Sequence, residues 1–171
     1  LLYALQTYQG EPHRLEWIRT VGSVDYYDDS KGTNVGATVA ALKSLGMERL
    51  SGRLILIAGG QGKGQDFFHL AEAINQWVDV LLLMGQDARL IREAVVQAVV
   101  GNGHIKNTQM IDCSNLADAL HQAHAFAQAG DAVLLSPACA SFDMFRDYEH
   151  RAQVFREEVA LLPEKNTEVV S

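Results

Sequence analysis

The chain has 171 residues, of which 48% are hydrophobic and 20% charged, and this composition indicates one folded domain rather than a disordered or fibrous chain. Its 14 basic and 21 acidic residues give a net charge of -7, so nucleic acid is not expected as a partner. No stretch reaches the roughly 20 apolar residues of a membrane span, and the 2 cysteines make no disulfide framework. We therefore expect no membrane insertion and a reducing, cytoplasmic setting.

The N-terminal part of the chain predicts a β-hairpin followed by a helix. The sequence begins Leu-Leu-Tyr, without an initiator methionine or a basic leader, and we expect a piece of a longer protein. Residues 15–20 and 23–28, joined across Val21-Gly22, have the pattern of two paired strands. The helix that follows is expected to start near Thr33 or Asn34, since either residue can cap it.

The rest of the chain alternates between apolar runs and helical patterns. Residues 54–58, 80–84 and 133–135 lack polar alternation, which is typical of strands buried on both faces of a parallel sheet. Residues 104–112 can supply another strand, and residues 163–171 are expected to form a polar, frayed tail. The predicted fold class is α/β: a Rossmann-like open, mostly parallel sheet flanked by helices, with an N-terminal hairpin.

Ligands of open α/β sheets bind beyond the carboxyl ends of the strands, and four predicted loops lie there. We call residues 28–34 the aspartate loop, residues 59–64 the glycine loop and residues 136–141 the serine loop; residues 85–87 form the fourth. The aspartate loop holds more carboxylate, ammonium, hydroxyl and amide groups than helix capping requires, which favours a binding role.

The glycine loop fits neither of two well-known phosphate-binding motifs. A Walker loop needs glycine at position 57 and Ser or Thr at 64, where the chain has Ile57 and Gly64. A dinucleotide fingerprint needs a third glycine at position 65, where the chain has Gln65. Two interpretations stay open: a tight turn with Lys63 as a solvated charge, or a turn that presents Lys63 to an anionic group.

The serine loop precedes the last helical pattern. Ser141 is expected to cap that helix, whose first backbone N–H groups would then form an anion site. Cys139 with His150 as its base would make a thiol nucleophile, but a small buried cysteine is the preferred interpretation because no third group supports the pair. The histidines show no metal-ligand spacing, so no metal site is predicted.

Four segments of the chain together resemble the C-terminal part of the Mur ligases, in which they follow the same order. These segments are residues 12–14, 29–34, 59–63 and 136–141. The likeness runs from about Leu1 to about Leu162. Within this family it is closest to the members that join D-glutamate to UDP-N-acetylmuramoyl-L-alanine in peptidoglycan synthesis, because their aspartate is followed by Ser-Lys-x-Thr-Asn.

The resemblance implies the third domain of a three-domain, ATP-dependent carboxylate–amine ligase. Residues 1–10 would then be a remnant of the central domain and hinge, residues 11–162 the amino-acid-binding domain, and residues 163–171 the tail. ATP and Mg²⁺ would bind mainly to the absent central domain, so the fragment is expected to hold no catalytic residue of its own and to be inactive alone. D-Glutamate, ATP and UDP-N-acetylmuramoyl-L-alanine are the implied partners.

The resemblance also implies two sets of binding residues. The residues that match the ATP contacts are Arg14, Asp29 and, by proximity in the sequence, Lys31. The residues that match the D-glutamate contacts are Thr33, Lys63, Ser141, Phe142 and Tyr148. Lys63, Lys31 and the N-terminus of the last helix are expected to supply the positive charge that two substrate carboxylates need.

Three other interpretations remain. The chain could belong to another Mur or folylpolyglutamate-type amide ligase, although the aspartate loop departs from their patterns. It could be a nucleotide-binding Rossmann-like module, against which the failed spacing at Gln65 counts. A non-catalytic interaction domain would leave the surplus of polar groups at the strand ends unexplained.

Overall fold

The computed structural model describes residues 11–48, 51–101 and 107–164, and within them six strands form a single sheet. The strands are β1 (Glu16–Val21), β2 (Val24–Asp28), β3 (Leu54–Gly59), β4 (Val80–Met84), β5 (Gln109–Asp112) and β6 (Ala132–Leu135). Their order across the sheet is β1-β2-β6-β3-β4-β5; β1 runs antiparallel to β2, and all other neighbours are parallel. The predicted mostly parallel α/β fold with an N-terminal hairpin is confirmed.

Five helices alternate with these strands in the described residues: α1 (Val35–Glu48), α2 (Phe68–Trp77), α3 (Ala88–Gly101), α4 (Leu116–Phe126) and α5 (Tyr148–Leu161). The first three pack on one face of the sheet and the last two on the other. Leu56 on β3 therefore joins the core with α1–α3, while its neighbours Ile55 and Ile57 join the core with α4 and α5. This two-sided burial is why the central strands show no polar alternation. None of the described helices combines the length and apolarity that crossing a bilayer demands.

The hairpin turn is formed by Gly22 and Ser23, one residue later than the sequence pattern indicated. Both residues have positive φ angles, 55° and 60°, as the two central residues of a type I′ turn require. At the other end of the described chain, Glu164 accepts a hydrogen bond from the Gly22 backbone N–H at 2.9 Å and pairs with Arg19. Residues 1–10 and 165–171, and part of the predicted strand at 104–112, lie outside the described residues.

Asp131 fixes the amino end of β6 against β3. Its carboxylate accepts hydrogen bonds from the backbone N–H groups of Arg53 and Gln128, both at 2.8 Å, and pairs with the Arg53 guanidinium. These contacts lie at the sheet edge opposite the loops of interest, so they stabilise the scaffold without forming the site.

Candidate functional site

The candidate site lies where β3 and β6 end side by side. The chain leaves β3 for α2 on one face of the sheet and leaves β6 for α5 on the other face. Loops that diverge in this way open the sheet edge between them, which is where open α/β sheets bind ligands. The glycine loop and the serine loop therefore flank the site, and the aspartate loop follows β2, the other neighbour of β6.

Backbone pairing joins the glycine loop to the serine loop. Gln61 and Ala140 form an isolated antiparallel bridge, each donating its N–H to the other's carbonyl oxygen at 2.9 Å. Beyond it, the Gln65 side chain donates to the Ala138 carbonyl at 2.8 Å and accepts from the Val35 N–H at 3.0 Å. The residue that broke the dinucleotide fingerprint thus connects the serine loop to the first turn of α1, a role that the sequence did not reveal.

Lys63 lies in a tight turn of the glycine loop, beside the candidate site. Gln65 N–H donates to the Gly62 carbonyl at 3.2 Å, and the two residues between them, Lys63 and Gly64, have φ angles of 54° and 74°. A positive φ is unusual for a residue with a side chain, and here it belongs to the turn itself. The exposed Lys63 ammonium lies 5.1 Å from the centroid of the Phe142 ring, itself 61% exposed. Two of the predicted amino-acid contacts are therefore neighbours.

The expectation that Ser141 caps the last helix is wrong. Ser141 is buried, and its carbonyl accepts the N–H groups of Met144 and Phe145 at 3.1 and 2.8 Å in a separate turn. Helix α5 begins only at Tyr148, and Asp147 caps it by accepting the His150 N–H at 2.7 Å. The Asp147 carboxylate occupies that helix end, and the last helix does not begin at Ser141 as predicted.

Asp29 is buried at the start of the aspartate loop with both carboxylate oxygens engaged. One oxygen accepts the Leu15 N–H at 3.0 Å, and the other accepts the Ser136 hydroxyl at 2.6 Å. Burial raises the pKa of this carboxyl, although the two hydrogen bonds and the charge of Arg14 act in the opposite direction. Arg14 and Asp29 line one cavity of about 190 Å³ together with Leu15 and three alanines of α1. Two of the three residues expected to contact ATP therefore line the same cavity.

The half-buried Lys31 and the exposed Arg14 share one acidic partner. Glu11 forms ion pairs with both Lys31 and Arg14, and these pairs lower the pKa of the Glu11 carboxyl. Lys31 is therefore paired with Glu11, and of the three expected sources of positive charge it is Lys63 that lies at the β3–β6 junction.

The remaining predicted residues lie at helix starts. Thr33 immediately precedes Asn34, which caps α1 by accepting the Ala37 N–H at 3.0 Å. Tyr148 is the first residue of α5, and its ring meets the edge of the His13 ring with the centroids 6.2 Å apart. The cap of α1 therefore falls on one of the two residues that the sequence offered.

Three polar side chains that the sequence analysis missed hold these loops in place: those of Asp87, Asp143 and Arg151. Asp143 accepts the Gln86 N–H at 2.8 Å, and Asp87 accepts the Gly62 N–H at 2.6 Å. Arg151, on the apolar face of α5, is fully buried and donates to the carbonyl groups of Ser30 and Cys139. A signal existed for Arg151, since it interrupts an otherwise apolar helical stripe.

Two other groups of side chains have the composition of a metal site or of a nucleophile with its base. His13, Glu16 and Asp28 lie close enough to share a metal ion, but the Arg156 guanidinium contacts both carboxylates and offsets one of their two negative charges. Cys139 is fully buried, and burial raises the pKa of its thiol to about 12, while the His150 ring accepts the Arg146 N–H. Cys139 is thus the small buried cysteine that was preferred over a nucleophile.

Comparison with known proteins identifies the family. Residues 13–139 match the model of the Mur ligase, glutamate ligase domain, which is more than half of the chain. The chain belongs to the Mur ligase family. A UDP-N-acetylmuramoylalanine–D-glutamate ligase from Ralstonia nicotianae is 54% identical over 162 residues, which are 95% of this chain and 30% of the relative. The chain thus spans about 30% of the length of the curated relatives it matches.

Solved structures support the same fold at lower identity. A murein peptide ligase from Psychrobacter arcticus superposes with a TM-score of 0.63 and 20% identity, covering 95% of this chain and 33% of that one. A domain described as part of a UDP-N-acetylmuramate:L-alanyl-γ-D-glutamyl-meso-diaminopimelate ligase from Haemophilus ducreyi gives a TM-score of 0.56 at 15% identity, covering 84% of this chain and 98% of that one. The second case shows this fold crystallised as a separate unit.

Proposed function

We propose that this chain is the C-terminal domain of an ATP-dependent ligase that joins D-glutamate to UDP-N-acetylmuramoyl-L-alanine. The observation that carries the proposal is the 54% identity, over 95% of the chain, to a relative that bears this activity in its name. The site supports it independently, because the loops at the β3–β6 junction offer a cation, an aromatic ring and a buried serine in one place.

The amino acid would bind at the junction between the glycine loop and the serine loop. The Lys63 ammonium would pair with the side-chain carboxylate of D-glutamate, with Thr33 as a hydroxyl donor. Ser141 and the backbone near Phe142 would hold the α-carboxylate, and the ring of Tyr148 would border the substrate. The turn at Lys63 fixes where its side chain leaves the backbone, and the ammonium lies against the Phe142 ring at the same junction.

The nucleotide would be shared with the rest of the protein. Arg14 would offer a charged fork to ATP and Asp29 would accept from the ribose hydroxyls, since both line one cavity beside the hinge. Lys31 would give up its ion pair with Glu11 and contact the nucleotide instead. Mg²⁺ would bind mainly outside this domain, since the Arg156 guanidinium already contacts both carboxylates of the one described cluster with metal-ligand geometry.

The reaction would proceed in two steps. The carboxylate of UDP-N-acetylmuramoyl-L-alanine attacks the γ-phosphorus of ATP, giving an acyl phosphate and ADP. The amine of D-glutamate then attacks the acyl carbon, the C–O bond to phosphate breaks, and an amide, phosphate and a proton are released. This domain would place the amine against the acyl carbon and close the site against water. These substrates put the proposed enzyme in the cytoplasm.

The experiment that tests the proposal uses the full-length protein. Phosphate release is measured with ATP, Mg²⁺ and UDP-N-acetylmuramoyl-L-alanine, with D-glutamate, L-glutamate, D-alanine or meso-diaminopimelate added in turn. The proposal predicts phosphate release and an amide product when D-glutamate is added, and neither with the other three amino acids. Activity with a different amino acid, or with a folate acceptor in place of the UDP-sugar, would assign the chain to another ligase of the family.

A further inference from the structure

Arg151 is a fully buried cation that no acidic side chain neutralises directly. It projects from the first turns of α5 and forms no ion pair with any residue in the described ranges. Its Nε has no hydrogen-bond partner, and the hydroxyl of nearby Ser30 is likewise buried without one. A buried charge and two unpaired polar atoms all oppose folding. Stability alone therefore does not account for an arginine here, since an apolar side chain of similar volume is often at least as stable.

The guanidinium connects two loops that are distant in the sequence. One nitrogen donates to the Ser30 carbonyl at 2.8 Å, and the other donates to the Cys139 carbonyl at 3.1 Å. Ser30 follows Asp29 in the aspartate loop, and Cys139 lies two residues before Ser141 in the serine loop. The planar fork of arginine holds both carbonyl groups at a fixed separation, which a single ammonium cannot do.

We infer that Arg151 is a positioning residue that sets the spacing between the nucleotide side and the amino-acid side of the site. This inference rests on the proposed function, since it takes Asp29 as an ATP contact and Ser141 as a D-glutamate contact. The guanidinium touches neither substrate; it acts by fixing the two backbone segments from which those side chains extend. Loss of the fork lets both segments shift, so the binding of both substrates weakens together.

The test compares three variants of the full-length ligase. Arg151→Met keeps the volume and removes the donors, and Arg151→Lys keeps the charge but loses the fork. Phe155→Leu is the control, because Phe155 is buried one turn further along α5, in the core that includes α4. The thermal unfolding midpoint, kcat, and the KM values for ATP and D-glutamate are measured for each.

Arg151→Met is expected to raise both KM values about tenfold or more, in line with the loss of hydrogen bonds from a charged donor, while the protein stays folded. Arg151→Lys is expected to remain impaired for both substrates, and it decides the question if Arg151→Met does not fold. Phe155→Leu is expected to lower the unfolding midpoint and leave both KM values within about twofold, in keeping with a cost confined to core packing.

The inference is overturned if the Arg151 variants keep both KM values, if only one value rises, or if Phe155→Leu raises both to the same extent. A wild-type protein that ignores D-glutamate would instead overturn the proposed function, so the two failures are distinguishable.

Discussion

Asp29 shows how one residue can oppose stability while serving a site. Because burial raises the pKa of its carboxyl in the folded protein, the folded state holds this proton more tightly than the unfolded chain does. The free energy of unfolding therefore falls as the pH rises from the ordinary value of 3.8 through the folded-state pKa. Ionisation of this carboxyl therefore destabilises the folded state relative to the unfolded chain, although hydrogen bonds from Leu15 and Ser136 reduce the cost.

We predict that Asp29→Asn leaves the unfolding midpoint at pH 7 equal to or above that of the wild type. The amide oxygen can still accept the Leu15 N–H, and the amide nitrogen can donate to Ser136. The difference from the wild type is expected to vanish near pH 4, as the wild-type carboxyl takes up its proton. In the full-length enzyme the KM for ATP is expected to rise about tenfold, corresponding to about 1.5 kcal/mol.

The KM for D-glutamate serves as the internal control for this prediction, because Asp29 lies on the nucleotide side. A rise in the D-glutamate KM with an unchanged ATP KM would show that the role of Asp29 has been assigned incorrectly.

At the scale of whole elements, the pattern of the sequence predicts most of the fold. Continuous apolar runs identified β3, β4 and β6, and three- and four-residue repeats identified the helices, because both signals come from burial. The start of α5 was placed wrongly, since Ser141 and Asp147 are both acceptable caps and only tertiary contacts choose between them. Arg151 and Gln65 were missed as connectors because their partners are carbonyl groups, which no side-chain pattern reveals.

Asp131, which joins the amino ends of β3 and β6, makes the free energy of unfolding depend on pH in the opposite direction from Asp29. Burial acts to raise the pKa of Asp131, but hydrogen bonds from Arg53 and Gln128 and the charge of Arg53 outweigh it and hold that pKa below its usual value. The stability from Asp131 is therefore complete above the unfolded-state pKa and is lost as the pH falls through the folded-state pKa.

Asp131→Ala is expected to lower the free energy of unfolding at pH 7 by about 2–3 kcal/mol, since it leaves buried N–H donors unpaired and Arg53 is partly screened by solvent. Urea denaturation measures the change. The control is Asp112→Ala, which removes an exposed carboxylate paired with Arg92 and should cost no more than about 1 kcal/mol. Equal losses in the two variants would contradict the assignment of Asp131 as a buried anchor.

At the scale of the whole molecule, we predict that the isolated chain folds but does not catalyse the reaction. Residues 11–164 contain helices on both faces of the sheet and a core on each side, so we predict that the isolated chain unfolds in one cooperative transition. Circular dichroism and the fluorescence of its 2 tryptophans should report the same midpoint in urea. The isolated chain should release no phosphate from ATP with both other substrates present. Amide formation by the isolated chain would contradict the prediction.

The central claim is that the β3–β6 junction recognises D-glutamate through Lys63, and amino-acid selectivity tests it most directly. The measurement is the ratio of kcat/KM for D-glutamate to that for D-alanine, in the full-length wild type and in Lys63→Asn. Asparagine tolerates the positive φ of this turn, so the backbone is kept while the charge is removed.

Loss of one partner of a desolvated ion pair costs roughly 2–5 kcal/mol, which lowers kcat/KM for D-glutamate by about 30-fold to several thousand-fold. D-Alanine has no side-chain carboxylate, so its kcat/KM should change little and most of the preference for D-glutamate should disappear. A Lys63→Asn enzyme that keeps the wild-type preference would contradict the account and make Lys63 a solvated surface charge.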